Sequence, residues 1–281
     1  MVVLRWDDSY PSPASLRPEV NAMSESIVEV LLDRIPPSEV AGIYGKGSAW
    51  KIWDSPVDYV PEISDVDIHL LFKDDAGPER YLGTVEAALE VQSRIELAYR
   101  NRVSSPIHTP RPQLVLLNKL LQDPSYSPSP KGTVTTLHGE DYPDEAYDEP
   151  RERDQAAAAL LDQSSVLEWF PLHVVDKPGP YLMASLRALT WRVSPAAPRV
   201  LLLKQMSAKE AWSLNRTKAI ALLEEMGEAQ LAHEYARFYL SAWEYFLSGY
   251  ADSGSARKAI TASIAVIETG AEVARKAQES V

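Results

Sequence analysis

The sequence predicts an α/β (α+β) domain over residues 1–150 followed by an all-α helical bundle domain over residues 151–281, on three observations. Short β-like apolar runs alternate with helix-like spacing in the first half. An acidic stretch with two prolines, Glu140 to Pro150, interrupts the chain and reads as a linker or crossover. Beyond it, apolar residues recur at helical intervals to the end.

Each element follows from its own pattern. Leu16, Val20, Met23, Ile27 and Leu31 are spaced three or four apart, which predicts a helix over 13–34 that Pro36-Pro37 ends. Branched and apolar residues predict strands at about 40–45 and 63–72. A helix over 83–101 carries Val85, Ala88, Leu89, Gln92, Ile95 and Tyr99 on one face. Leu114 to Leu117 and Gly132 to His138 are further strand-like runs, separated by a Ser/Pro-rich loop. The second half predicts helices at about 151–168, 179–193, 196–206, 215–226, 228–249 and 254–278. In the fifth of these, Leu231, Tyr235, Phe238, Ala242 and Phe246 form a stripe that reads as bundle core.

Bulk properties narrow the function classes. At 281 residues and 45% hydrophobic content the chain is long enough to bury a core. It has no cysteine, which excludes disulfides, thiolate metal sites and cysteine nucleophiles. No apolar stretch is long enough to cross a bilayer and the N-terminus lacks signal-peptide features, so the expectation is a cytoplasmic protein. Residues 1–150 hold 13 Lys and Arg against 25 Asp and Glu, whereas 151–281 hold 15 of each. The whole net charge of −12 therefore lies in the first half, which argues against nucleic acid as partner and is compatible with a small, even cationic, substrate.

The candidate site lies in GIYGKGSAWKIWDSPVDYVPEISDVDIHLLF. In an extended chain residues i and i+2 share a face, so Asp65 and Asp67 point towards one place. Two hard oxygen ligands held side by side suit Mg²⁺, which keeps several waters and takes further ligands from substrate phosphates. Upstream, Gly47 lets the backbone approach a phosphate, and Ser48 can bind its oxygens. His69 shares the face of the aspartates and reads as a partly buried strand histidine with a backbone partner, or as a contact to phosphate or substrate. His138 is a similar case. Five histidines without close pairing argue against zinc.

Gly47-Ser48 followed by Ser64-Asp65-Val66-Asp67-Ile68 resembles the signature of the DNA polymerase beta-like nucleotidyltransferase superfamily, over about residues 40–140. The resemblance implies a nucleotidyltransferase core with a mixed sheet, in which Asp65 and Asp67 hold two Mg²⁺ ions bridging a triphosphate and Gly47 and Ser48 contact phosphate. The helical second half, with Tyr181 to Trp191 and Ser213 to Leu223, is similar to the C-terminal domain of aminoglycoside adenylyltransferases of the streptomycin/spectinomycin type. There a helix-start lysine reaches the nucleotide phosphates, which points to Lys218, with Arg216 and Lys204 as weaker candidates. The implied function is transfer of a nucleoside monophosphate from ATP or another nucleoside triphosphate to a hydroxyl of a small molecule or protein. Two departures stand out. Sixteen residues separate Ser48 from Asp65, a long loop with Trp50, Trp53, Asp54, Asp58 and Tyr59 that reads as a substrate lid. Where the family places a third acid this chain has Gln113, which cannot accept a proton at neutral pH. Asp123, Glu140 or Asp141 would have to substitute, and the alternative is a catalytically degenerate member that binds nucleotide as a sensor or partner module.

Overall fold

In the computed structural model, residues 4–123, 126–143 and 147–279 are described; part of the acidic 140–150 stretch lies outside them. The chain divides into two compact units, one of Asp7–Lys51 and Ser64–Glu145, the other of Met1–Trp6, Ile52–Ile63 and Ala146–Val281.

The first unit is a mixed four-stranded sheet with helices. Helix α1 (Pro13–Arg34) starts at Ser12, whose side chain accepts from Ser15 N–H, with Pro13 in the first turn where its missing N–H costs nothing. The sequence periodicity of α1 is realised: Leu16, Val20, Met23, Ile27 and Leu31 are all buried. Strands β1 (Val40–Lys46) and β2 (Asp65–Phe72) follow, then the short α2 (Gly77–Leu82), α3 (Val85–Arg102), β3 (Arg111–Leu116), the short α4 (Leu117–Leu121) and β4 (Thr135–Gly139). The strand order is β3-β2-β1-β4. β1 runs antiparallel to β2 and β4, while β2 and β3 are parallel, so the sheet is mixed. Ile43, Ile68 and Leu70 are fully buried, and α1 packs against β2 and α3.

Sequence periodicity missed α2 and α4, each only five or six residues long and too short to display a helical repeat. The strand-like run Leu114 to Leu117 extends one residue too far, since Leu117 opens α4. Arg111, Pro112 and Gln113 belong to β3, an edge strand, whose first four residues are exposed and so lack an apolar signature.

The second unit is helical: α5 (Glu149–Gln163), α6 (Val166–Val175), α7 (Leu182–Val193), α8 (Ala196–Leu203), α9 (Ala208–Ser213), α10 (Arg216–Glu225), α11 (Ala229–Leu247) and α12 (Ser253–Glu279). α11 presents Tyr235, Phe238, Tyr239 and Trp243, all fully buried, and packs along α12, whose buried face is Ala256, Ala259, Ala262, Gly270 and Ala271. Each buried Phe or Leu is worth roughly 1.5–3 kcal/mol.

Residues 52–63 are core to this unit and do not form a lid. Trp53 stacks on Tyr59 at 4.4 Å, Trp243 Nε1 donates to Pro56 O at 2.8 Å, and Arg216 donates to Val57 O at 3.0 Å while lying 4.0 Å over the Tyr239 ring. Among the described residues no helix is long and apolar enough to cross a membrane.

Candidate active site on the sheet

The alternation of β2 puts Asp65, Asp67 and His69 on one face, and the neighbouring strands place polar partners beside them. In register, Arg111 lies across from Asp65, Gln113 from Asp67 and Val115 from His69, while on the other side Lys46 pairs with Asp67 and Tyr44 with His69.

Arg111 grips Asp65 with both arms, Nε donating to Oδ1 at 2.7 Å and Nη2 to Oδ2. One end of the Gln113 amide lies 3.0 Å from Asp65 Oδ2 and 3.3 Å from Asp67 Oδ1, and because both neighbours are acceptors the amide nitrogen is assigned to that end, donating to both. A single atom thus reaches both acids, so the two carboxylates converge on one point. Lys46 is beside Asp67: burial pushes its ammonium down from the ordinary lysine range, and the Asp67 charge opposes that shift. The two acids sit side by side on β2, with Lys46 across from Asp67 on one flank and Arg111 across from Asp65 on the other.

The turn after β1 completes the arrangement. Gly47 has φ +81°, and a Cβ there would lie 2.1 Å from Asp67 Oδ2, so both backbone and space demand glycine. Trp50 packs over Gly45, where a Cβ would meet its ring at 2.2 Å. Arg17 of α1 pins the turn by donating to Ala49 O at 2.6 Å and Lys51 O at 3.0 Å. Gly47 and Asp67 are therefore brought together, with Ser48 next in the turn.

His69 is buried rather than presented to a ligand. Its Nδ1 lies 3.4 Å from the Tyr142 hydroxyl, so its partner is a side chain, not backbone. Burial first, and then the Lys46 charge, pushes its pKa down to about 3, which keeps the ring neutral. His138, on β4 opposite Ile43, is part-buried.

Of the substitute acids, Asp141 is ion-paired with Lys131 at 2.7 Å, and the Glu140 backbone is bonded to Ala41 O at 2.8 Å. Among the described residues no group of three His, Cys, Asp or Glu side chains is placed to share an ion.

Lys218 belongs to the helical unit. It sits in the first turn of α10, its N–H bonded to the Asn215 side chain at 2.9 Å, its half-exposed ammonium 4.0 Å from Asp54. The next donor of that turn, Thr217 N–H, is taken by Asp58 at 2.9 Å. Arg216 is buried and structural, as above, and Lys204 pairs with Glu228 at 2.5 Å.

Sequence reasoning missed Lys46 and Arg111. The signal was present: the same alternation that aligns Asp65 with Asp67 puts Arg111 with Gln113, and Lys46 directly precedes the Gly47-Ser48 turn. The chain matches no family model, no curated protein and no solved structure.

Proposed function

We propose that the protein is a metal-dependent nucleotidyltransferase, binding a nucleoside triphosphate, with ATP the first choice by prevalence alone, on the sheet face of Asp65 and Asp67. The observation that carries this reading is the convergence of both carboxylates on one Gln113 atom beside the Gly47 turn. The donor set suits Mg²⁺: two carboxylates and an amide that offers its oxygen after rotation, with waters and phosphate oxygens completing the shell. Bound there, Mg²⁺ would supply charge neutralisation across the triphosphate and at the attacking and leaving oxygens.

The chain's own groups do the rest. The Gly47-Ser48 turn accepts a phosphate close to the backbone. Arg111, released from Asp65, supplies a fork that matches phosphate oxygens. Lys46 sits beside Asp67, whose charge favours the ammonium against the cost of burial. No neighbouring carboxylate on β3 takes the acceptor's proton, so binding should outlast transfer. The acceptor is a hydroxyl of a small molecule or protein, and the acidic first half favours a cationic one such as an aminoglycoside.

A second reading, nucleotide binding without transfer, is favoured by the same Arg111–Asp65 pair and by Gln113. Titration calorimetry with the four nucleoside triphosphates, in Mg²⁺ and in excess chelator, tests the common ground. Binding should require the divalent ion and vanish when Asp65 and Asp67 are both changed to Asn; equal affinity in chelator sinks both readings. Mg²⁺-dependent pyrophosphate release then separates enzyme from binder.

A further inference from the structure

A cavity of about 650 Å³ opens on the other side of β3 from the aspartates, walled by apolar groups that include Met23, Val91, Ile95, Val103, Pro112 and Leu114. Its size falls within the range of small-molecule pockets. We propose that this cavity binds a small, uncharged, largely apolar molecule, and that its occupancy is transmitted through β3 to Arg111 and Gln113.

Three observations carry the assignment. First, Ala88, Gln92, Ile95 and Tyr99 of α3, which the sequence spacing places on one face, all line the cavity, and the neighbouring Val85 and Leu89 remain 70% and 60% exposed. Ala88, Gln92 and Ile95 of this face thus open onto the cavity, while Tyr99 is buried and bonded to its loop wall. Second, the loop wall of the cavity is preformed. Buried Glu19 accepts from Ile107 N–H at 2.6 Å, His108 N–H at 3.2 Å and the His108 ring at 2.7 Å, and the Tyr99 hydroxyl donates to His108 O at 2.9 Å. Third, the polar side chains on the α3 side already satisfy each other: Gln92 donates to Glu96 at 3.3 Å, and Glu96 is ion-paired with Arg100. They demand no charged ligand, which sets the charge of the occupant at zero.

Transmission follows from strand geometry. Pro112 and Leu114 face the cavity, while Arg111 and Gln113, alternating with them, hold Asp65 and Asp67. β3 is an edge strand with β2 as its sheet neighbour, so contacts to Pro112 and Leu114 are what a ligand would add. Occupancy of the cavity does not depend on the nucleotide reading; its effect on nucleotide affinity rests on that reading.

The probe is N-phenyl-1-naphthylamine, neutral and fluorescent in apolar surroundings, titrated into the full chain. Saturable binding with one site is expected. Ala88→Trp, at an exposed position on the rim, and Leu114→Lys should each weaken it about tenfold or more with the thermal midpoint retained. The Gln113 side-chain amide resonance should move on saturation, and Mg-ATP affinity should change by about fivefold. Probe uptake that never saturates, or that both variants leave unchanged, overturns the proposal. So does a concentration-dependent dimer in sedimentation whose formation displaces the probe, because a second copy then covers the cavity. A still Gln113 resonance at saturation overturns the transmission. If ATP fails to bind at all, the nucleotide reading falls while the probe titration and the Gln113 resonance still decide the cavity.

Discussion

Asp58 and Asp65 lie seven positions apart and have opposite surroundings. Asp58, in the helical unit, is 1% exposed and accepts from Asp54 N–H at 2.8 Å, Ser55 N–H at 3.0 Å, Thr217 N–H at 2.9 Å and the Thr217 hydroxyl at 2.7 Å. Three of those donors are backbone, fixed by the fold itself. Asp65, in the sheet unit, is held by the side chains of Arg111 and Gln113, both on an exposed edge strand. A carboxylate whose lone pairs are filled by backbone N–H groups cannot exchange them without unfolding something. One held by side chains can trade them for a ligand. The contrast marks Asp58 as a structural aspartate.

The largest expected effect breaks the comparison at its rigid end. Asp58→Ala strands three backbone donors in a buried setting, leaves the Thr217 hydroxyl with Ser55 Oγ alone, and removes one of the groups that join residues 52–63 to the start of α10. A loss of about 3–5 kcal/mol in denaturant unfolding is expected, since hydrogen bonds to a charge are strong and their buried partners are costly to leave unpaired. Asp65→Asn, at a partly exposed ion pair, should change stability by less than about 1 kcal/mol. Similar losses for the two would remove the distinction.

Next in size is the turn. Gly47→Ala combines a left-handed backbone with a Cβ contact of 2.1 Å to Asp67 Oδ2, and Asp67 must move to admit it. A cost of about 1–3 kcal/mol is expected, with Mg-ATP affinity reduced at the same time. Full retention of ligand affinity at reduced stability would show that the Asp67 position is unimportant for binding.

These two predictions also mark what was legible in the chain. Asp65, Asp67 and Gly47-Ser48 could be read because strand alternation and a glycine turn are local rules, and α1 and α11 because their apolar spacing is long and regular. The role of residues 52–63 was not legible. Trp53, Val57, Tyr59 and Val60 announce burial, but the protein they bury against starts more than 150 positions later, at Asn215, Arg216 and Trp243. Arg111 was legible as a neighbour of Gln113 on its strand but its partner was not, because the register with Asp65 emerges only from the parallel pairing of β3 with β2.

The smallest expected effect sharpens the comparison most, because its sign depends on the ion. Gln113 donates to both carboxylates, which lets two like charges sit near one another. Gln113→Glu replaces that donor with a third negative charge of nearly the same size. Without divalent ions the variant should therefore be less stable than the wild type, by about 1 kcal/mol at this partly solvated face. With Mg²⁺ the same charge becomes a ligand, so ion affinity should rise about tenfold, or about 1.4 kcal/mol, and the thermal midpoint should climb further on Mg²⁺ addition than it does in the wild type. The two effects oppose each other, and melting curves at increasing Mg²⁺ should cross. Asp58→Asn, by contrast, should lower stability by the same amount at every Mg²⁺ concentration, since its partners are backbone donors and not an ion. Parallel curves for Gln113→Glu, with no gain from Mg²⁺, would place the divalent ion elsewhere and reduce the Asp65–Arg111 pair to a structural contact.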